Sequence, residues 1–236
     1  MADGRDQTRP PGSGSTSGPP GTPIGSALTL QRLVPDPRGL ADRVARTVAA
    51  IDRVHGDGSL PTIPLEWARL GAGDEAEIVM PRFGRLLVPQ RIIVDPAVRR
   101  PGLAILHEIG HFLDAQTLGE RGEFASASHP NLAGWRHIIA GTRAVVALLR
   151  LRDASRNPAR SAHLDYLLRP DELWGRTYAQ YVATRGGNPD LLREAAERRQ
   201  QVTGSVYIPY LWDDDDFELV ATTIDELFRR LAWRIL

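Results

Sequence analysis

The stretch Ala104 to Asp114, AILHEIGHFLD, constrains this chain more than any other. In a helix of 3.6 residues per turn, His107 and His111 fall one turn apart on the same face, with Glu108 about 100° round from the first histidine. Two neutral imidazoles so placed can grip one zinc ion. The adjacent carboxylate cannot reach the metal, but it can reach a water bound to it. Ile105, Leu106, Ile109, Gly110, Phe112 and Leu113 are all uncharged. They predict a helix packed along its back while both histidines face a cleft, with the small Gly110 letting another element approach closely. The rest of the chain then has to supply a third ligand, a surface for substrate and a core.

What the chain lacks narrows the ligand set. It contains no cysteine, which removes disulfides, zinc ribbons and thiol nucleophiles together and leaves histidine and carboxylate to hold a metal. No third histidine follows at the short spacing of a metzincin. The best candidate is therefore a carboxylate on another helix, Glu172 in RPDELWGRTYAQY, where Pro170 suits a first helical turn. A first-turn residue projects toward a neighbouring element, although the helix dipole alone would also favour a glutamate there. Asp114, His129, His137 and His163 are rivals. Asp114 lies a turn beyond His111 and is better placed to support a ligand than to be one. Arg176, one turn after Glu172, can pair with Glu172 or Asp114, and an Arg176–Asp114 bridge locking the two helices is expected.

Along the chain the pattern is α+β and mostly helical. From Asp3 to Pro23 the only apolar side chains are prolines, among Gly, Ser and Thr. Such a segment cannot bury enough surface to offset its ordering entropy, so residues 1–26 read as a disordered tail or linker and 27–236 as one domain. Leu40, Val44, Val48 and Ile51 mark a helix ended by Gly56 and Gly58. Between Glu75 and Asp95, β-branched residues punctuated by Pro81, Gly84 and Pro89 predict short strands at edges or bulges. The strand Arg91–Asp95 leads into the motif helix and is expected to offer its edge to an extended peptide. One long helix is expected from Leu132 through Trp135, Ile139 and Val145 to Leu149. A charged, exposed helix follows Asn188-Pro189. A last helix from Asp213 carries a stripe from Phe217 to Leu231, its four aspartates fitting the positive end of the dipole and Arg229, Arg230 and Arg234 the negative end. That acidic run lacks the spaced ligands and turn glycine of a calcium loop.

Acidic and basic residues number 29 each, and every basic residue is arginine. No global field draws the chain to nucleic acid or to an anionic membrane. No run approaches the roughly 18 to 20 apolar residues of a membrane span, and the N-terminus has no charged-then-apolar leader. A location in the cytoplasm, or export by a specialised route, is expected.

The pair HEIGHFLD and, some sixty residues on, RPDELWGRTYAQYV resembles the two core motifs of zincin-like metallopeptidase domains with a glutamate third ligand. These include the anthrax lethal-factor-like proteins and the peptidase domains of polymorphic toxins and phage polyvalent proteins. YIPYLWDDDDFELVATTIDELF is similar to the aromatic-acidic stretch and final helix of the latter group. The resemblance runs from about Ile92 to the C-terminus, with no counterpart for Glu120 to Leu168. It departs at Trp174-Gly175, where such helices more often carry Phe or Tyr and then Ala. It implies a zincin-like fold, with a small edge sheet beside the active-site helix. It also implies one zinc ion on His107, His111 and Glu172, and hydrolysis of a protein or peptide substrate with Glu108 as the proton carrier. A tyrosine shortly before the third-ligand helix stabilises the oxyanion in lethal-factor-like enzymes, which points to Tyr166; Tyr178, Tyr181 and Tyr210 stay open. A toxin or effector role, with an inhibitory or immunity partner, is the accompanying expectation. The alternative is a binding or regulatory module on the same fold. A DNA-associated H-E-x-x-H protease is disfavoured by the neutral charge and missing zinc ribbon, and a peptide deformylase by the absent cysteine ligand.

Overall fold

The computed structural model describes residues 28–30, 39–56, 60–71, 73–200, 202–203 and 206–233. The tail expected over 1–26, the boundary at 27, Gly58 and Arg234 lie outside them. The described part is α+β and mostly helical, with a small mixed sheet.

The sheet holds β1 (Leu28–Leu30), β2 (Ile63–Trp67), β3 (Ala76–Val79) and β6 (Arg91–Val94) in the order β1-β2-β6-β3. β1, β2 and β6 run parallel, and β3 pairs antiparallel to β6 with Ile78 opposite Ile92. β4 (Arg82–Phe83) and β5 (Leu86–Leu87) form a hairpin turned at Gly84, whose φ of 61° suits a residue without a Cβ. Strands form in this region as expected, but Arg91–Asp95, expected to offer a free edge, contributes β6 (Arg91–Val94). That strand is central instead, paired on both sides, because β2 joins it from outside the predicted region. The edge beside the motif helix is β3. Pro64 obscures β2 in the sequence; it stands opposite Thr29 of β1, and pairing with β6 begins at Leu65.

Behind the sheet, α1 (Leu40–Asp52) buries the predicted face Leu40, Val44, Val48 and Ile51 against α2 (Gly102–Gln116). α2 is covered almost all round. Ile105, Leu106, Ile109, Phe112 and Leu113 have no exposed surface, so its apolar back is the centre of the core. α3 (Ala125–Ser128) and a short 3-10 turn (Pro130–Leu132) lead to α4 (Ala133–Ala140) and α5 (Arg143–Ala154). The single long helix expected here is thus two, broken at Gly141, with Thr142 capping α5 by accepting from the Val145 N–H. α6 (Pro158–Leu167) and α7 (Pro170–Arg185) are separated at Arg169-Pro170 as predicted.

α8 (Pro189–Arg199) is not simply an exposed charged helix. It buries Leu191, Glu194 and Ala195 against α2, and Glu194 accepts from the Leu103 N–H at 3.1 Å, capping the motif helix from outside. β7 (Val202–Thr203) and β8 (Val206–Tyr207) form a small ribbon before α9 (Asp214–Arg230). The apolar stripe of α9 is buried as predicted from Phe217 to Phe228, while Leu231 falls just past the helix and is only partly buried. Its acidic start serves a neighbour as well: Asp216 accepts from the backbone N–H groups of Arg143 and Ala144 at 3.0 and 3.2 Å, at the start of α5. No described helix is long and apolar enough to cross a membrane.

Candidate metal centre

Two glycines set how closely the helices carrying the motif residues approach. α2 packs across α7 where Gly110 faces Gly175; a Cβ on Gly110 would stand 3.1 Å from the Gly175 Cα. The approach is sealed by Trp174, whose indole N–H donates to the Gly110 carbonyl at 3.0 Å. The expectation that Gly110 admits a neighbouring element therefore holds. A Cβ on Gly175 would lie 2.8 Å from two atoms of the His107 ring. Gly175 is thus the floor on which His107 rests.

Across this crossing, Glu172 in the first turn of α7 reaches both histidines. His107 Nε2 lies 3.2 Å from Glu172 Oε2, His111 Nε2 lies 3.7 Å from Oε1, and the two Nε2 atoms are 2.9 Å apart. One donor atom from each residue falls within a 4.8 Å group that could hold a metal ion. Ligands tetrahedral about zinc at about 2.0–2.1 Å stand about 3.3 Å apart, so the spacing fits the ion. The rival ligands are elsewhere. His129 caps the 3-10 turn through Asn131, His163 bonds Tyr210, and His137 sits in the last turn of α4.

The electrostatics follow from burial. Burial would raise Glu172, but His107, His111 and the Tyr166 hydroxyl hold it down to about 2. Burial would lower His107, and hydrogen bonding to Glu172 with the charges of Glu108 and Glu172 raises it instead. His111 is pushed down to about 3 by burial and by its positive neighbour, so it stays neutral, the state a ligand needs. Its Nδ1 is buried without a partner.

Glu108 stands outside the triad of donors. Burial pushes it up to about 7, against the pull of His107 and of the Ile78 N–H, which donates to Oε2 at 2.8 Å. This contact comes from the outer edge of β3, a backbone group that no side-chain motif could reveal. Tyr166, at the end of α6, is 44% exposed and lines the cleft beside Glu172; burial, together with the charge of that carboxylate, raises the hydroxyl. The three other candidate tyrosines have their own partners, Tyr178 with His55 at 2.9 Å, Tyr181 with Asp225 and Tyr210, which also lines the cleft, with His163.

No family model, curated protein or solved structure matches this chain.

The expected Arg176–Asp114 bridge is absent. Asp114 accepts from the Ser126 N–H and hydroxyl, tying α2 to α3 and holding the turn that brings Phe124 against the His111 ring. Arg176 is buried and donates to the carbonyls of Glu172, Leu167 and Tyr210. Both are thus supports of the site, acting separately: the guanidinium binds the α6 end carrying Tyr166 to the turn carrying Glu172. The cleft extends both ways from the triad. Leu103, Leu167, Ala179 and Leu211 line one side, and Ile78, Met80, Leu87 and Phe124 the other.

Proposed function

We propose that the protein is a zincin-like, zinc-dependent peptidase, with one ion on His107, His111 and Glu172. The observation that carries this reading is a buried carboxylate, Glu108, beside a closed set of two imidazoles and one carboxylate but not part of it. Bound zinc would bring a water's pKa toward neutrality and polarise a scissile carbonyl.

The remaining work falls to the protein's own groups. Glu108, at about 7, can accept a proton and release it near neutral pH. The Ile78 N–H holds its Oε2, so proton transfer belongs to Oε1. Tyr166 stays protonated, because burial and Glu172 both raise it well above 10.0. Its single O–H can therefore donate to an oxyanion on turning away from Glu172, without first losing its proton. An extended peptide suits the outer edge of β3, whose backbone already points one N–H at Glu108.

The test is Glu108→Gln, assayed for zinc content and for cleavage of a mixed peptide library. Equal zinc with cleavage reduced about 10²- to 10⁴-fold is expected. Wild-type cleavage by the variant removes Glu108 from the reaction. Zinc-loaded wild type that cleaves nothing in the library overturns the peptidase reading.

A further inference from the structure

A cavity of about 260 Å³ opens where α1, the segment leading into α2, and α8 meet. Arg43 and Arg46 enter it from α1, Arg99 and Arg100 from that segment, and Arg193 from α8. Among the described residues, the acidic groups lining it are Asp190 and Glu194, and both are committed. Asp190 meets Arg193 at 2.7 Å and Arg46 at 3.9 Å. Glu194 is buried, and its carboxylate accepts from the Leu103 N–H in the first turn of α2 at 3.1 Å. Arg100 turns aside to Glu197.

Two guanidiniums are left over. Among the described residues, Arg43 and Arg99 have no carboxylate partner, and Arg43 donates instead to the Arg99 backbone carbonyl. Five arginines converge on one concavity in a chain with no net charge, so the local excess calls for an anion. The start of α2 is not the recognition element, since the Glu194 carboxylate already stands against it and takes the Leu103 amide; the guanidiniums carry the site. Their planar forks match the oxygens of phosphate two at a time, and their convergence from three elements suits a compact polyanion rather than an extended acidic peptide.

We propose that this cavity binds a small oligophosphate group through Arg43 and Arg99, with Arg46, Arg100 and Arg193 adding positive charge around it. The ligand would tie α1 and α8 together over the start of the motif helix, a site separate from the cleft and independent of the peptidase reading.

The experiment is calorimetric and thermal-shift titration of the whole chain with inorganic pyrophosphate at about 0.15 M salt. Saturable binding with a Kd below about 1 mM is expected, with a melting temperature that rises with ligand. Arg43→Ala and Arg99→Ala should each weaken it at least about tenfold. Arg150→Ala, an exposed arginine of α5, should leave it unchanged. His107→Ala should bind as wild type does, which separates this site from capture of pyrophosphate by a metal in the cleft. The proposal is overturned by absence of saturation, by equal binding in Arg43→Ala and Arg99→Ala, by loss of binding in His107→Ala, or by a hexaglutamate peptide binding as tightly as pyrophosphate.

Discussion

Gly175→Ala tests the construction of the metal centre directly. In an ordinary helix interior this substitution stabilises by up to about 1 kcal/mol, because alanine loses less backbone entropy. Here the new methyl would stand 2.8 Å from His107 Cε1 and Nδ1 and 3.0 Å from Nε2, against a comfortable contact of about 3.5 Å or more. The imidazole is held between α2 and α7, so it must move by roughly 0.5–1 Å. Overpacking of that kind costs about 1–3 kcal/mol, which outweighs the helical gain. A displaced ring also leaves Glu172 and His111 with a distorted partner, so zinc affinity should fall at least about tenfold, or about 1.4 kcal/mol. Gly134→Ala in α4 is the matched control, since its Cβ would meet only Thr223 Cγ2 at 3.8 Å. Urea unfolding and a zinc-chelator competition would read both effects. Gly134→Ala should gain stability with affinity unchanged, and Gly175→Ala should lose both. A Gly175→Ala protein that is more stable and binds zinc as wild type does would refute the argument.

Two further outcomes follow from the electrostatics. Burial pushes Asp114 up to about 7, despite the Ser126 donors, from an ordinary 3.8. The folded state then holds the extra proton between those values, and this residue's contribution to stability falls as pH rises through that window. In Asp114→Asn that loss disappears, so the stability difference in the variant's favour should widen by about 2–4 kcal/mol from pH ~4 to ~7; a difference flat with pH would contradict it. Tyr166→Phe should keep its zinc and lose about 10²-fold in cleavage rate. An unchanged rate would move oxyanion stabilisation to another donor.

Features encoded within one or two turns of chain were legible in the sequence. His107 and His111 share a face because four residues span one turn, and Pro170 set the start of α7 and so placed Glu172 in its first turn. The stripes of α1 and α9 were readable for the same reason. Errors came where a side chain's partner lies far along the chain. Arg176 and Asp114 were matched by charge, yet burial satisfied them with backbone carbonyls and with Ser126. Arg91–Val94 looked like an edge because nothing local reports that β2 will pair with it. Gly141 and Thr142 could have announced the break between α4 and α5, since a glycine followed by a threonine is a recognisable stop and start.

The sequence by itself determined which groups can bind metal: without cysteine, two histidines on one helical face need a carboxylate, and one stands at a helix start. Tertiary structure decided that these groups meet and what surrounds them. The meeting depends on two glycines that let α2 and α7 cross within reach of one ligand set. The surroundings depend on the edge of β3, whose Ile78 N–H finds Glu108. Periodicity is a property of neighbouring residues, whereas close approach is a property of two surfaces, and no single stretch of chain contains both.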